Sequence, residues 1–166
     1  MANTDFASQA RRLYMESFPP EERRPWEGIV NPESDYGPDL CHLTDGESYA
    51  GFMTLWDFGT FRYLEHFATM PELRGRGIGC MWMKKLIESS SSPVVLEVER
   101  PGDNDMAERR IGFYRRCGMY LLDYDYIQPP YAPGLPEVPL LLMSSDPALD
   151  PAAVAATLHR EVYGRR

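Results

Sequence analysis

The sequence predicts an α/β domain of the α+β kind, and three observations carry that reading. Leu40–Leu43, Ser48–Trp56 and Phe61–Thr69 read as three successive strands, joined by the tight-turn sequence T-D-G-E and by a turn at Gly59, which makes an antiparallel meander. From Ile78 onward, helical and strand-like periodicities alternate. The chain of 166 residues, with 43% hydrophobic and 12% aromatic content, is long and apolar enough for one domain with a substantial core.

The elements follow in order. Phe6, Ala10, Leu13, Tyr14 and Phe18 recur at helical spacing and Pro19-Pro20 ends the pattern, so an amphipathic helix spans Asp5 to Phe18. Glu21 to Ile29, EERRPWEGI, reads as a short second helix or as a loop capping a site. Asn31 to Asp39 is a turn-rich connection into the meander. Ile78 to Ile87 is a helix registered by Ile78, Met81, Trp82, Lys85 and Leu86 and closed by SSSSP. Val94 to Val98 is a nearly continuous apolar strand, the pattern expected of burial on both faces. A helix from Asn104 to Cys117 follows, then strands near Tyr120–Ile127 and Val138–Met143. Pro129 to Pro139 holds five prolines and reads as an ordered loop around Tyr131. Asp146 to Tyr163 reads as an Ala-rich helix begun by Asp150-Pro151. No internal repeat is present.

The chemistry concentrates between Phe61 and Ile87, where a strand runs into an Arg/Gly-rich turn and then a helix. Gly75, Gly77 and Gly79 remove side chains where the backbone must turn sharply, so N–H groups converge on an anion and the helix adds its positive end. Arg74 and Arg76 bring fixed positive charge to the same place. The nucleoside-triphosphate loop is excluded, because no Lys followed by Ser or Thr comes after these glycines. A dinucleotide fingerprint begun at Gly75 would need glycine where Cys80 stands. It is weakened but stays open, since Glu97 lies near the distance expected of a ribose-binding acid.

R-G-R-G-I-G, Arg74 to Gly79, resembles the Gln/Arg-x-x-Gly-x-Gly/Ala signature of the GNAT superfamily of acyl-CoA-dependent N-acetyltransferases. F-A-T-M-P-E-L, Phe67 to Leu73, is similar to that family's strand and its lead-in, and I-G-F-Y-R-R-C-G-M, Ile111 to Met119, to its helix-to-strand junction. The resemblance spans Leu40 to Met143 and the ends only loosely. It implies a mixed, mostly antiparallel central sheet flanked by helices, with a splayed strand pair that holds acyl-CoA. The family opens with a strand before its first helix, and only three or four residues precede the helix here. That first strand is expected to be missing or replaced.

What the resemblance implies about the site can be carried over position by position. Phe67, Ala68 and Thr69 would bond the pantetheine arm through their backbone, and an N–H there would polarise the thioester carbonyl, a contribution of roughly 3 kcal/mol. Arg74, Gly75, Arg76, Gly77, Ile78 and Gly79 would hold the phosphates. Tyr114 would protonate the departing thiolate, and its competing role is packing beside Phe113. Glu65 or Glu97 would take the proton of the amine, against the alternative of a salt bridge or plain solvation. Strict strand alternation puts Glu97 and Glu99 on one face, and it puts His66 opposite Glu65 as a packed or surface histidine. Many members carry Asn and Ala where Ala107 and Arg110 stand. Asn104, offset by three residues, is the substitute candidate for the pantetheine contact, while Arg110, Arg115 and Arg116 either reach phosphates or solvate their helix. Trp26, Trp56, Phe58, Tyr124, Tyr126 and Tyr131 are candidates for the acceptor pocket or for core packing.

Composition bounds the partners. The net charge of −8 argues against nucleic acid, because the Arg74, Arg76, Lys84 and Lys85 patch suits a single polyphosphate better than a polymer. The acidic remainder favours a cationic acceptor. The sequence contains no apolar run of about 18 residues and no signal-peptide centre, so no membrane partner and a cytoplasmic setting are expected. Cys41, Cys80 and Cys117 are odd in number and lack metal-ligand spacing, so neither a disulfide framework nor a metal site is suggested. The reading that follows is acetyl transfer from acetyl-CoA to a primary amine of a small molecule or peptide through a ternary complex, with a homodimer left open. A catalytically silent acyl-CoA-binding or sensing module is the rival, and a dinucleotide-binding enzyme a distant third.

Overall fold

The computed structural model describes residues 2–30 and 36–164, so part of the turn-rich connection lies outside the described residues. Helix α1, Ala2–Ser17, buries Ala10, Leu13 and Tyr14, a stripe at helical spacing. The proline pair then forces a single 3-10 turn, Pro20–Glu22, before the short helix α2, Glu27–Val30. The segment expected as a short helix or capping loop is therefore both in succession.

The meander forms as its turn chemistry requires. Strand β1, Asp39–Asp45, and β2, Ser48–Asp57, close at Asp45↔Ser48, with Gly46 supplying the positive φ of 61° that the tight turn needs. Strand β3, Arg62–Thr69, pairs antiparallel with β2. Helix α3, Ile78–Ser89, then crosses over to β4, Val94–Glu99, whose pairing with β3 is the only parallel one among the described residues. Helix α4, Asp105–Arg116, leads to the short strands β5, Tyr120–Leu121, and β6, Tyr126–Gln128. Both pair with β7, Val138–Ser144, which also pairs with β4. The result is a seven-stranded, mostly antiparallel sheet in the order β1-β2-β3-β4-β7-β5, with β6 also on β7. Helix α5, Pro151–Leu158, is N-capped by Asp150, whose carboxylate accepts from Ala152 N–H at 3.0 Å, and it widens into a π turn over His159–Tyr163. Among the described residues no strand precedes α1.

Two apolar layers cover the sheet. Leu64, Leu96 and Val98 pack with Ile78, Met83 and Leu86 of α3 and Ile111 of α4. On the opposite face, α1 and α2 pack on Phe52 and Ala68, while α5 packs on Tyr63, Val95 and Leu142. The α3–α4 contact also brings Cys80 and Cys117 together, with Sγ atoms 2.8 Å apart and both thiols free. Their separation in sequence gives no hint of that contact.

Two irregularities position the site. Pairing between β3 and β4 is confined to Arg62–Leu64 against Val94–Leu96, and the strands separate beyond it. The β2–β3 register also shifts, with Thr54 opposite His66 but Leu55 opposite Leu64, so Glu65 is an extra residue, a β-bulge, at the point of separation. On the other edge of β3 the approach of β2 is close. A Cβ at Gly51 would stand 2.2 Å from the carbonyl oxygen of Ala68 and 2.9 Å from Thr69 Cα. Gly51→Ala is expected to destabilise the fold by about 2 kcal/mol or more, since backbone must move to admit the methyl. Urea unfolding measures it, and a change below about 0.5 kcal/mol would show that this approach is not required.

Candidate functional site

The gap between β3 and β4 opens into a cavity of about 730 Å³. Its first wall is the free edge of β3. His66 N–H is donated to Thr54 Oγ1 at 2.9 Å and Met70 N–H to the Ala50 carbonyl at 2.8 Å, and the Ala68 carbonyl points at Gly51, all toward β2. By alternation the amide and carbonyl groups of Phe67 and Thr69 point the other way, where no strand satisfies them. Ala68 borders the cavity but turns its own backbone polar groups to β2.

The second wall is the turn between β3 and α3. A 3-10 turn, Pro71–Leu73, is followed by Arg74 in extended conformation and by Gly75 and Gly77 at φ +77° and +78°. Only glycine adopts these angles without strain. Gly77 caps α3, no side chain bonds the first amides of that helix, and Ile78, Gly79 and Cys80 border the cavity. Gly79 serves packing: a Cβ there would stand 3.3 Å from Phe113 Cζ, 3.6 Å from Phe67 Cζ and 3.6 Å from Thr69 Cγ2. Arg74, Arg109 and Arg116 also border the cavity, as does Arg110, which is tied to Glu99, and Arg74 Nη2 donates to the Thr69 carbonyl at 3.3 Å. Arg76 is exposed on the turn and does not border the cavity. A strand edge with free amides, a helix start with free amides and three guanidiniums outside any salt bridge among the described residues fit a long phosphate-bearing thioester such as acyl-CoA.

The third wall carries carboxylates. The Glu65 side chain is 0% exposed, and its oxygens are fully engaged. Oε1 accepts from Arg24 Nε at 2.8 Å and from Tyr131 OH at 2.9 Å, and Oε2 accepts from Trp56 Nε1 at 2.7 Å. Burial alone would raise its pKa. Arg24 and the donated hydrogen bonds outweigh that and hold it below the ordinary carboxylate value. Glu97 differs. Its Oε1 accepts from Tyr63 OH and, at 2.5 Å, from Tyr163 OH, whereas its buried Oε2 has no hydrogen-bond partner. Burial dominates over those two bonds and lifts its pKa to about 7. Glu99 is tied to Arg110 at 3.3 Å and to Asn104 Nδ2 at 2.9 Å. Tyr114 of α4 borders the cavity with its ring edge-on to Phe113, and burial pushes its phenol up to about 12, so it stays protonated at neutral pH.

Comparison with known proteins bears on this arrangement. The sequence model described as the acetyltransferase (GNAT) family matches residues 7–119. The chain belongs to the GNAT acetyltransferase family. A solved structure described as a putative GNAT-family acetyltransferase from Bacteroides thetaiotaomicron is 38% identical, covering 99% of this chain and 96% of its own, with a TM-score of 0.86. Two more distant structures share the fold. The ribosomal-protein-S18-alanine N-acetyltransferase of Escherichia coli is 16% identical, covering 85% of this chain and 86% of its own, with a TM-score of 0.56. A Bacillus subtilis acetyltransferase in complex with CoA is 13% identical, covering 82% and 90%, with a TM-score of 0.55. No curated protein matches.

Against the GNAT expectations, several residues fall elsewhere. Asn104 is the N-cap of α4: its side-chain oxygen accepts from Ala107 N–H at 2.9 Å, its nitrogen is spent on Glu99, and it does not border the cavity. His66 does not oppose Glu65. The bulge at Glu65 resets the alternation, so both side chains lie on the α1 face, with His66 stacked on Tyr131 and packed against Tyr14 and Phe18. Of the six aromatic pocket candidates only Tyr131 borders the cavity, while Trp26 packs beside α1 and the other four pack in the α5 core. Arg24, Tyr63 and Tyr163 do not stand out in the sequence, and the only local signal among them is the charge cluster EERR. Among the described residues no group of three or more His, Cys, Asp or Glu side chains is placed to hold a metal ion, and no helix is long and apolar enough to cross a membrane.

The contrast between the two buried acids has a measurable consequence. Glu65→Gln leaves the Arg24 guanidinium, whose side chain is 13% exposed, without its counter-charge, and a loss of about 3 kcal/mol in urea unfolding is expected. A loss below about 1 kcal/mol would mean that this pair does not anchor the fold.

Proposed function

We propose that the chain transfers an acetyl group from acetyl-CoA to a primary amine by direct attack while both are bound. One observation carries the proposal: the gap between β3 and β4 gathers, around one cavity, an open strand edge, a cationic glycine turn, a tyrosine and a buried carboxylate without a counter-ion. Acetyl-CoA supplies the acyl group activated as a thioester. The turn Arg74–Gly79, with Arg109 and Arg116, holds the phosphates, and the Phe67 and Thr69 backbone holds the pantetheine arm.

Glu97 takes the proton of the incoming ammonium, leaving a lone pair to form the N–C bond. With a pKa of about 7 it is ionised in a large share of molecules at neutral pH yet remains basic enough to accept a proton. Glu65 is less suited, because both its oxygens already accept hydrogen bonds, one of them from Arg24, and its pKa is depressed. As the C–S bond breaks, Tyr114 gives its proton to sulfur. The nitrogen loses two protons between ammonium and amide: Glu97 passes the first to solvent, the second returns to the Tyr114 phenolate, and the thiol keeps the proton Tyr114 gave, so one proton is released over the reaction.

Three measurements test this reading. Titration calorimetry with acetyl-CoA and CoA, followed by thiol release against an amine panel, separates an enzyme from a silent module: tight binding without turnover on any amine would favour the latter. Tyr114→Phe should slow turnover by about 10²-fold with little loss of acetyl-CoA affinity, and unchanged turnover would remove Tyr114 from its role.

For Glu97 the sign is set by its raised pKa. Below about pH 7 the acid is protonated and cannot accept, so kcat/KM should climb through a limb centred there and flatten above it. Glu97→Gln should lose the limb and about 10²-fold in rate. Because the folded protein holds this proton more tightly than the unfolded chain, wild-type stability falls as pH rises from the ordinary 4.5 toward 7. The slope is about 1.4 kcal/mol per pH unit across that window, and the Gln variant should lack it. A limb that survives in Glu97→Gln would assign the titration to another group.

A further inference from the structure

One residue of the cavity wall, Glu22, belongs to the Pro20–Glu22 turn, whose placement is fixed by two buried side chains. His66, 3% exposed on β3, places Nε2 2.7 Å from the Glu22 carbonyl, and Gln128, 4% exposed on β6, donates Nε2–H to the Glu21 carbonyl at 3.4 Å. A carbonyl only accepts, so His66 carries its proton on Nε2, and Nδ1 faces Thr54 Oγ1 at 3.4 Å. Burial keeps this imidazole below its ordinary pKa and so neutral. Two polar groups on separate strands thus hold one short turn in place.

That turn carries Glu22 to the cavity wall. Glu22 is half-buried and, among the described residues, belongs to no salt bridge. Burial, then the nearby charge of Glu99, raises its pKa, and Arg110, the compensating cation, is committed to Glu99. Glu97 also borders the cavity, with its Oε1 held by the hydroxyls of Tyr63 and Tyr163 and no cation paired with it among the described residues. Glu22 and Glu97 thus line the same cavity. Phe18 and Tyr131 supply apolar surface to the same wall. The cavity therefore has two carboxyl groups without cationic partners and an apolar lining, besides guanidiniums suited to phosphates.

We propose that Glu22 is a specificity-determining residue and that the preferred acceptor is a small aliphatic dication, a diamine or polyamine, with one ammonium held by Glu22 while the amine at Glu97 attacks. This rests on the acetyltransfer reading above and adds the acceptor's chemical class. Mono-amines fill only one of the two anionic positions. A zwitterion of equal length brings a carboxylate against Glu22 and is repelled.

The test uses the full chain with saturating acetyl-CoA and four acceptors: 1-aminopentane, 1,5-diaminopentane, 5-aminopentanoate and a peptide with a free N-terminus. Wild type should favour the diamine over the mono-amine in kcat/KM by about ten- to a hundred-fold, the size of one charge-assisted hydrogen bond, with the zwitterion last. Glu22→Gln should reduce that ratio to within about threefold, and Glu22→Asp should restore part of it. The acetyl-CoA Kd of each variant reports whether the cleft is intact. A wild-type ratio near one, a ratio unchanged in Glu22→Gln, or a preference for the peptide over the diamine overturns the proposal while leaving acetyl transfer standing.

Calorimetry with 1,5-diaminopentane and the CoA-loaded protein covers the opposite case. Diamine binding that is lost in Glu22→Gln supports the subsite even if no amine is acetylated. Absence of both diamine binding and turnover overturns it.

Discussion

The site depends on a parallel pairing that stops early. β3 and β4 share only the rungs from Arg62–Val94 to Leu64–Leu96, and everything proposed about the chemistry lies beyond the last of them. Had the ladder continued, the amides of Phe67 and Thr69 would be satisfied within the sheet and the cavity would be closed by backbone. The separation is stabilised from both sides. On the α3–α4 side, Phe67 and Thr69 pack against Gly79 and Phe113, while on the opposite side the Glu65–Arg24 pair joins β3 to the segment after α1. An opened strand pair exposes polar backbone, and a folded protein keeps such groups apart only where other contacts hold them.

The cavity is divided electrostatically in a chain whose net charge is −8. Arg74, Arg109 and Arg116 border it together with the glycine turn, and Glu22, Glu97 and Glu99 belong to its carboxylate wall. Proximity of opposite charges could cancel this division, and one such cancellation occurs at Arg110–Glu99. The remaining groups are kept from pairing by their attachment to different rigid elements. Under the proposed reading, this division would draw a polyanionic donor and a cationic acceptor to different walls of one cavity.

The fold is legible in the sequence because its signals are local. Turn residues at Gly46, apolar periodicity in α3, the all-apolar run of β4 and the Asp150-Pro151 start of α5 each report their own geometry. The glycine turn is legible for the same reason, since an anion cradle needs contiguous residues. The roles of the acids are not. Glu65 and Glu97 lie on neighbouring strands with similar surroundings in sequence, and what separates them is a guanidinium 41 residues away in one case and a phenol 66 residues away in the other. Strict alternation misplaces His66 because a single added residue leaves no trace in composition. Most of the aromatic pocket candidates are core residues, since a tryptophan in a buried strand and one in a pocket wall look alike in sequence.

The bulge at Glu65 lets one short strand do the work of two. Ahead of it, β3 is a conventional sheet member with Tyr63 turned toward α5 and Leu64 toward α3; behind it, the side-chain parity is inverted and the strand becomes a docking rail. In evolutionary terms the bulge is slack built into the strand. Loss of the Glu65 codon would leave a regular ladder, with Thr54 still opposite His66 and Leu55 still opposite Leu64, so Phe67 and Ala68 would keep their faces and their backbone directions. What would vanish is the carboxylate that ties β3 to Arg24 at the point where the strands part.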